Sequence, residues 1–390
     1  MGSLYFWDTA RYNWRMMTIL LFSFAMLFQS PAQAGDAGIP GYCPSVNLYE
    51  SGGNPFDRMP IYDQGELSTC YAYTASQLID FWRFKNQPEA TDLTSPVWTA
   101  LVHKVRMPLH WNPDNLDFSR MAWVFRSLEK EGICRADVVD RAIDRLRNGN
   151  PRMQEPDLMA LFQQLWDEYQ EQSSILGMNP GAYEIAYAKV SSQPYFVSRI
   201  DQSLIEKFRF IDGRSKGKRL ETLLTEVFSE CSGSNLLPMN LPRWKSIGLG
   251  FASNRKIIRK LNEVLEQGNP LGIGYCSNLL DEGHGYRAFK TKPRVLGLAL
   301  RQEKCGAHYS IVAGQRPSHD GSCEFLIRNT YGTGFWTDHF SCMCKSRDPS
   351  VAGYQECRAS EAERSNQQVV GCWISGQDLA NNTYDLTWFQ

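Results

Sequence analysis

The stretch Pro60-Ile61-Tyr62-Asp63-Gln64-Gly65-Glu66-Leu67-Ser68-Thr69-Cys70-Tyr71-Ala72-Tyr73 places a glutamine six residues before a cysteine that opens a helix. The helix follows from the residues beyond it. Tyr71, Ala75, Leu78, Ile79 and Trp82 recur at helical spacing, Ser68 or Thr69 can cap the start, and Asn86 with Pro88 closes the end. A cysteine in the first turn meets the positive end of the helix dipole and free backbone N–H groups, which favour the thiolate and lower the thiol pKa. Gln64, set before the Gly65 turn, can aim its side-chain amide at the same place, and the backbone N–H of Cys70 is a second donor. This is the layout of a thiol nucleophile beside donors for the oxyanion of a tetrahedral intermediate.

Working outward, the N-terminus carries an export address over residues 1–34. Arg11 and Arg15 precede the apolar run 16–28, and Ala32-Gln33-Ala34 supplies the small residues of a cleavage site, so the mature chain is expected to start near Gly35. The run is short for a membrane span, and no stable span is expected after cleavage. Eleven cysteines lie beyond that point: Cys43, Cys70, Cys134, Cys231, Cys276, Cys305, Cys323, Cys342, Cys344, Cys357 and Cys372. In a periplasmic, secreted or lumenal setting cysteines pair, so one of an odd number is left over. Taken alone, a helix-start cysteine in such a chain is more often a disulfide partner. Parity makes Cys70 the candidate odd thiol, with up to five bridges among the rest whose pairing the sequence leaves open.

With 390 residues the chain can bury one large domain or two packed lobes. A formal net charge of −1 gives no reason to expect nucleic acid or an anionic membrane surface as partner. Three helices are predicted in the first part, at 70–85, after Asp92-Leu93-Thr94-Ser95-Pro96, and at 118–130. Residues 135–254 differ in texture, with helical patterns such as 157–170 and 219–228 broken by polar and Gly/Pro-bearing stretches, and they read as an inserted block. Then come an amphipathic helix at 256–266 and β-type runs at 271–275, 309–313 and 324–328, the last two divided by a turn-rich 315–322. The domain reading is therefore 1–34 signal peptide, 35–134 helical lobe with the nucleophile, 135–254 helical insertion, and 255–390 β-rich lobe ending in a cysteine-rich extension.

A thiol hydrolase also needs a base and a group to orient it. Six histidines are available, His103, His110, His284, His308, His319 and His339. His308 starts the strand Tyr309-Ser310-Ile311-Val312-Ala313, a rigid mount for an imidazole, whereas His284 lies between Gly283 and Gly285 in a loop. Asn329 follows the strand Phe325-Leu326-Ile327 and precedes Tyr331-Gly332. Its amide oxygen can accept from the imidazole and fix the tautomer, with Tyr331 covering the bond from water.

Together these segments resemble the papain-like cysteine peptidases. Asp63-Gln64-Gly65 and Cys70 followed by aromatic-Ala-aromatic resemble that family's nucleophile segment. Ala307-His308-Tyr309-Ser310-Ile311-Val312-Ala313-Gly314 resembles its histidine strand, and Ile327-Arg328-Asn329-Thr330-Tyr331-Gly332-Thr333-Gly334 its asparagine segment. The resemblance covers roughly 55–134 and 255–336. It implies an α+β, papain-like two-lobe fold: a helical lobe, a β-rich antiparallel barrel-like lobe, and here an extra mainly helical insertion. It also implies peptide-bond hydrolysis of a protein or peptide substrate, without a cofactor. Cys70 is then the nucleophile, His308 the base, Asn329 its orienter and Gln64 the oxyanion donor.

The sequence departs from the family at Leu67, where members usually have a cysteine that bridges within the helical lobe. It departs again at Ser68-Thr69, Tyr71, Tyr331 and Trp336, which leaves the cleft wall, and so the substrate subsites, this chain's own. Little chain separates the predicted cleavage point from Cys70, so either residues 135–254 or a separate proteinaceous inhibitor is expected to restrain the enzyme. Two rivals use the same residues, a catalytically silent papain-fold binding protein and a transferase that passes the thioester to an amine. His339, Cys342 and Cys344 have a metal-like spacing, but disulfides are the expectation in an exported chain, and no metal site is assigned.

Overall fold

The computed structural model describes residues 43–50, 53–65, 69–106, 119–146, 228–237, 240–248, 250, 252–289, 305–332, 336–362 and 364–390. The export address, Leu67, Ser68, His110 and the helical patterns at 157–170 and 219–227 lie outside these residues. Among the described residues no helix is long and apolar enough to cross a membrane.

The chain enters as a two-residue strand, β1 (Val46–Asn47), and then forms four helices: α1 (Cys70–Asn86), α2 (Pro96–Arg106), α3 (Met121–Glu131) and α4 (Ala136–Leu146). Helix α1 is buried on nearly every side, from Cys70 through Phe81, which is why its sequence carries little polar face. Several of its polar side chains are paired, Ser76 with the Thr99 hydroxyl and Gln77 with the Tyr73 carbonyl among them. Asp80 accepts from the backbone N–H and the hydroxyl of Thr94 and pairs with Arg83, tying the helix to the loop that starts α2. Burial still raises the Asp80 carboxyl to about 6. Helix α3 starts at Met121, three residues later than the pattern suggested, because Arg120 is extended; it ends at Gly132 with φ 84°.

The remaining elements are β2 (Trp244–Gly248), α5 (Asn254–Leu265), β3 (Leu271–Cys276), α6 (Asn278–Glu282), β4 (Ala307–Pro317), β5 (Cys323–Arg328), β6 (Cys342–Ser346), β7 (Tyr354–Cys357), α7 (Ala359–Ala362), β8 (Gln367–Ser375), α8 (Gly376–Asn382) and β9 (Thr383–Phe389). The strands join one nine-stranded antiparallel sheet in the order β2-β9-β3-β4-β5-β8-β6-β7, with β1 against β4. The fold is thus mixed helix and antiparallel sheet, with α1 packed on β3, β4 and β9. Close packing is possible because β3 carries Gly272 and Gly274, whose missing Cβ atoms would lie 2.0 Å from Met121 Cε and 2.6 Å from the Tyr384 ring.

Strand β4 runs past the expected turn to Pro317 because Gln315 pairs with both Val46 and Phe325. The last residues of the chain, read as an extension, supply β8 and β9 within the sheet, and β2, inside the span read as insertion, pairs with β9. Ten of the eleven cysteines are joined, as Cys43–Cys323, Cys134–Cys231, Cys276–Cys305, Cys342–Cys372 and Cys344–Cys357. The second of these bridges joins Cys134, just ahead of α4, to Cys231. Cys342 and Cys344, with the metal-like spacing, thus each sit in a disulfide.

Candidate active site

Cys70 is the one free cysteine, and it is buried. It opens α1 after Thr69, which occupies the cap position without a side-chain capping bond, so the expected Thr69 cap is absent. The thiol is reached by the backbone N–H groups of Tyr309, Tyr71 and Cys70 itself. Tyr309 is the residue after His308, so the start of β4 brings the imidazole strand onto the helix N-terminus.

The partners of Asn329 determine the state of the ring. Its Oδ1 accepts the backbone N–H of Thr330 at 2.7 Å and the hydroxyl of Ser310 at 3.3 Å. A backbone N–H can only donate, so the atom there is the amide oxygen. His308 Nε2 lies 2.6 Å from that same oxygen and must therefore carry the hydrogen. The other nitrogen, Nδ1, is left with its lone pair; it is buried and has no hydrogen-bond partner. Tyr331 stacks on the ring at 4.4 Å with planes 10° apart, and Tyr275 meets it edge-on at 5.6 Å. The hydroxyl of Tyr384, from β9, donates to the His308 carbonyl at 3.1 Å.

Gln64 reaches this cluster through a short antiparallel pairing of its loop with the segment after Asn329. Gln64 N–H donates to Thr330 O at 2.8 Å and Gly332 N–H to Tyr62 O at 2.9 Å, around the Asp63–Tyr331 bridge. The Thr330 hydroxyl donates to Gln64 Oε1, which holds the amide oxygen toward Thr330 and the amide nitrogen away from it.

All four side chains predicted for the site are buried: Gln64 and His308 are 0% exposed, Cys70 2% and Asn329 3%. That burial corrects the expectation of a lowered thiol pKa. Loss of water around the sulfur outweighs the backbone N–H groups and pushes the Cys70 thiol up to about 12. The same burial pushes His308 down to about 4, against the opposing pull of Asn329. The resting pair is therefore neutral thiol and neutral imidazole. His284, by contrast, is exposed and faces Asp378.

Sequence reasoning missed Thr330, Ser310 and Tyr384. Thr330 adjoins Asn329 and could have been flagged, whereas nothing local links Tyr384 to His308, 76 residues away. A groove of about 940 Å³ lined by Phe81, Phe84, Lys85, Arg58, Pro55 and Leu265 includes none of the four site residues.

Sequence models of known families and curated protein sequences give no match. Among solved structures, the chain is similar to one reported for the mite allergens Blo t 1 and Der p 1, at 12% identity and TM-score 0.42, covering 94% of this chain and 77% of that one. It is also similar to two structures of the Amb a 11 cysteine protease, a ragweed pollen allergen, in its proform. These have 11% and 10% identity and TM-scores of 0.37 and 0.38, and cover 94% and 93% of this chain and 72% of each.

Proposed function

We propose that the protein is an exported, papain-like cysteine peptidase with a two-lobe arrangement, which hydrolyses peptide bonds through a thioester. The observation that carries this reading is the orientation of His308: Nε2–H spent on Asn329 and a lone pair left on a buried Nδ1 without a hydrogen-bond partner, on the strand that packs against the helix bearing the free cysteine. As Cys70 Sγ attacks the carbonyl carbon, its proton passes to Nδ1 and the carbonyl π electrons move onto oxygen. Gln64 Nε2 and the Cys70 backbone N–H receive that oxyanion. Collapse expels the amine, which takes the proton from Nδ1 and leaves an S-acyl enzyme. Water then attacks the thioester while Nδ1 takes its proton; the tetrahedral intermediate expels the thiolate, which is reprotonated from Nδ1 as the acid leaves. Because the pair rests neutral, proton transfer is coupled to attack rather than preceding it.

The disulfides support an oxidising, extracellular or lumenal location. The near-complete burial of Cys70 and His308 favours a second reading, a catalytically silent papain-fold binding protein. An unfractionated peptide library separates the two. Time-dependent cleavage by the wild type, abolished in Cys70→Ala, supports the peptidase. Peptide binding without cleavage by either protein supports the silent form.

A further inference from the structure

Arg328 is among the largest fully buried side chains, 1% exposed, and it carries a permanent charge. Every acceptor of its fork is neutral. Nε donates to Gln77 Oε1 at 2.6 Å, Nη1 to the Tyr49 hydroxyl at 2.8 Å, and Nη2 to the carbonyls of Pro60 at 2.5 Å and Met59 at 3.4 Å. Tyr49 in turn donates to Val370 O at 3.1 Å. The rings of Phe56 and Tyr49 lie 5.3 and 5.9 Å from the guanidinium carbon.

Burying a charge in this way is costly unless its donors are filled, and an apolar side chain would pack the same volume without that cost. What the arginine supplies instead is one rigid planar fork that reaches three segments at once. Gln77 lies seven residues, two turns, after Cys70 on α1. Met59 and Pro60 open the loop that carries Gln64. Arg328 itself ends β5 and is followed directly by Asn329. Thus the nucleophile helix, the loop of the oxyanion donor and the strand end of the orienting asparagine are all joined through a single side chain. Catalytic geometry tolerates only about half an ångström of error, and a misplacement of about 1 Å can cost a hundredfold in rate.

Resting on the peptidase reading, we propose that Arg328 is a positioning residue, the clamp that sets Gln64 against Cys70 and Asn329. Its loss acts on transition-state stabilisation more than on substrate binding or on the thiol itself. Arg328→Lys keeps the charge but loses the fork, and Gln77→Leu removes one anchor while leaving the arginine in place. For both, the experiment compares kcat and KM on a peptide substrate with the rate of Cys70 alkylation by iodoacetamide, a reaction that forms no oxyanion. The expected result is a fall in kcat of about tenfold or more in Arg328→Lys and a smaller fall in Gln77→Leu, with KM and the alkylation rate each within about threefold of wild type. Should Arg328→Lys fail to fold, the split in Gln77→Leu decides. Unchanged kcat in the folded variants overturns the clamp and leaves the peptidase reading standing. An equal fall in alkylation reduces Arg328 to a purely structural role and overturns it as well. A wild type that turns over no peptide sinks both.

Discussion

Asn329 Oδ1 receives the Nε2 hydrogen of His308 at 2.6 Å while the backbone N–H of Thr330 holds that oxygen in place at 2.7 Å. The tautomer of His308 is therefore set by the peptide bond of the neighbouring strand end. Asn329→Ala releases the ring. The expected outcome is a fall in kcat of roughly a hundredfold with little change in KM, measured by steady-state peptide cleavage. Asn329→Asp restores the acceptor and adds a charge that raises the His308 pKa, so it should recover part of the rate and move the acid limb of the pH profile upward.

Acid stability carries the mark of the buried imidazole. In the unfolded chain a histidine titrates near 6.5, whereas His308 is held down to about 4 by burial. Between those values the unfolded state binds a proton that the folded state refuses. The contribution of His308 to stability is thus complete above about pH 6.5 and declines as pH falls toward 4, by on the order of 3 kcal/mol at the limit. Thermal melts from pH 7 to 4 should show the wild type losing more stability than His308→Gln; parallel curves would contradict the burial assigned to the ring.

In the proposed mechanism Thr330 acts through Gln64, since its hydroxyl donates to Gln64 Oε1. Thr330→Val leaves the shape and removes that bond. A loss of about tenfold in kcat is expected, against a hundredfold or more for Gln64→Ala, the scale typical of an oxyanion donor. The comparison is made at saturating substrate, and an unchanged kcat in both variants would remove Gln64 from the reaction.

The glycine at position 274 is needed for space. A Cβ there would stand 2.6 Å from the Tyr384 ring and 2.8 Å from the Tyr309 ring, both of them buried. Gly274→Ala should cost about 1–3 kcal/mol in urea denaturation. It should also reduce activity, because the displaced Tyr384 hydroxyl steadies the His308 carbonyl. Gly248→Ala, with nothing within 4 Å of its added carbon, serves as the control.

Much of the helical part and the strands nearest the site were legible because local pattern determines them. Helix α1 shows its apolar repeat, and β3, β4 and β5 are short apolar runs bounded by turn residues. The odd cysteine count required one free thiol, the helix-start position of Cys70 after Gln64 made it the candidate, and the structure leaves that thiol unpaired. Three things were not legible, each for a long-range reason. The first was the disulfide pairing, since parity says nothing of partners. The second was the role of β8 and β9, whose places in the sheet depend on pairings with β5 and β3 far along the chain. The third was the charge state of Cys70. The helix N-terminus is visible in sequence, but the burial that overrides it is a property of the assembled core.

The most direct measurement is covalent capture. Purified protein is treated with an epoxysuccinyl inhibitor, digested, and the labelled residue located by mass spectrometry, in wild type and in His308→Ala. The neutral Cys70–His308 pair predicts one stoichiometric adduct, on Cys70, formed at a rate that collapses when His308 is removed. Label on another residue, or an undiminished rate in His308→Ala, would contradict the assignment of Cys70 and His308 as nucleophile and base.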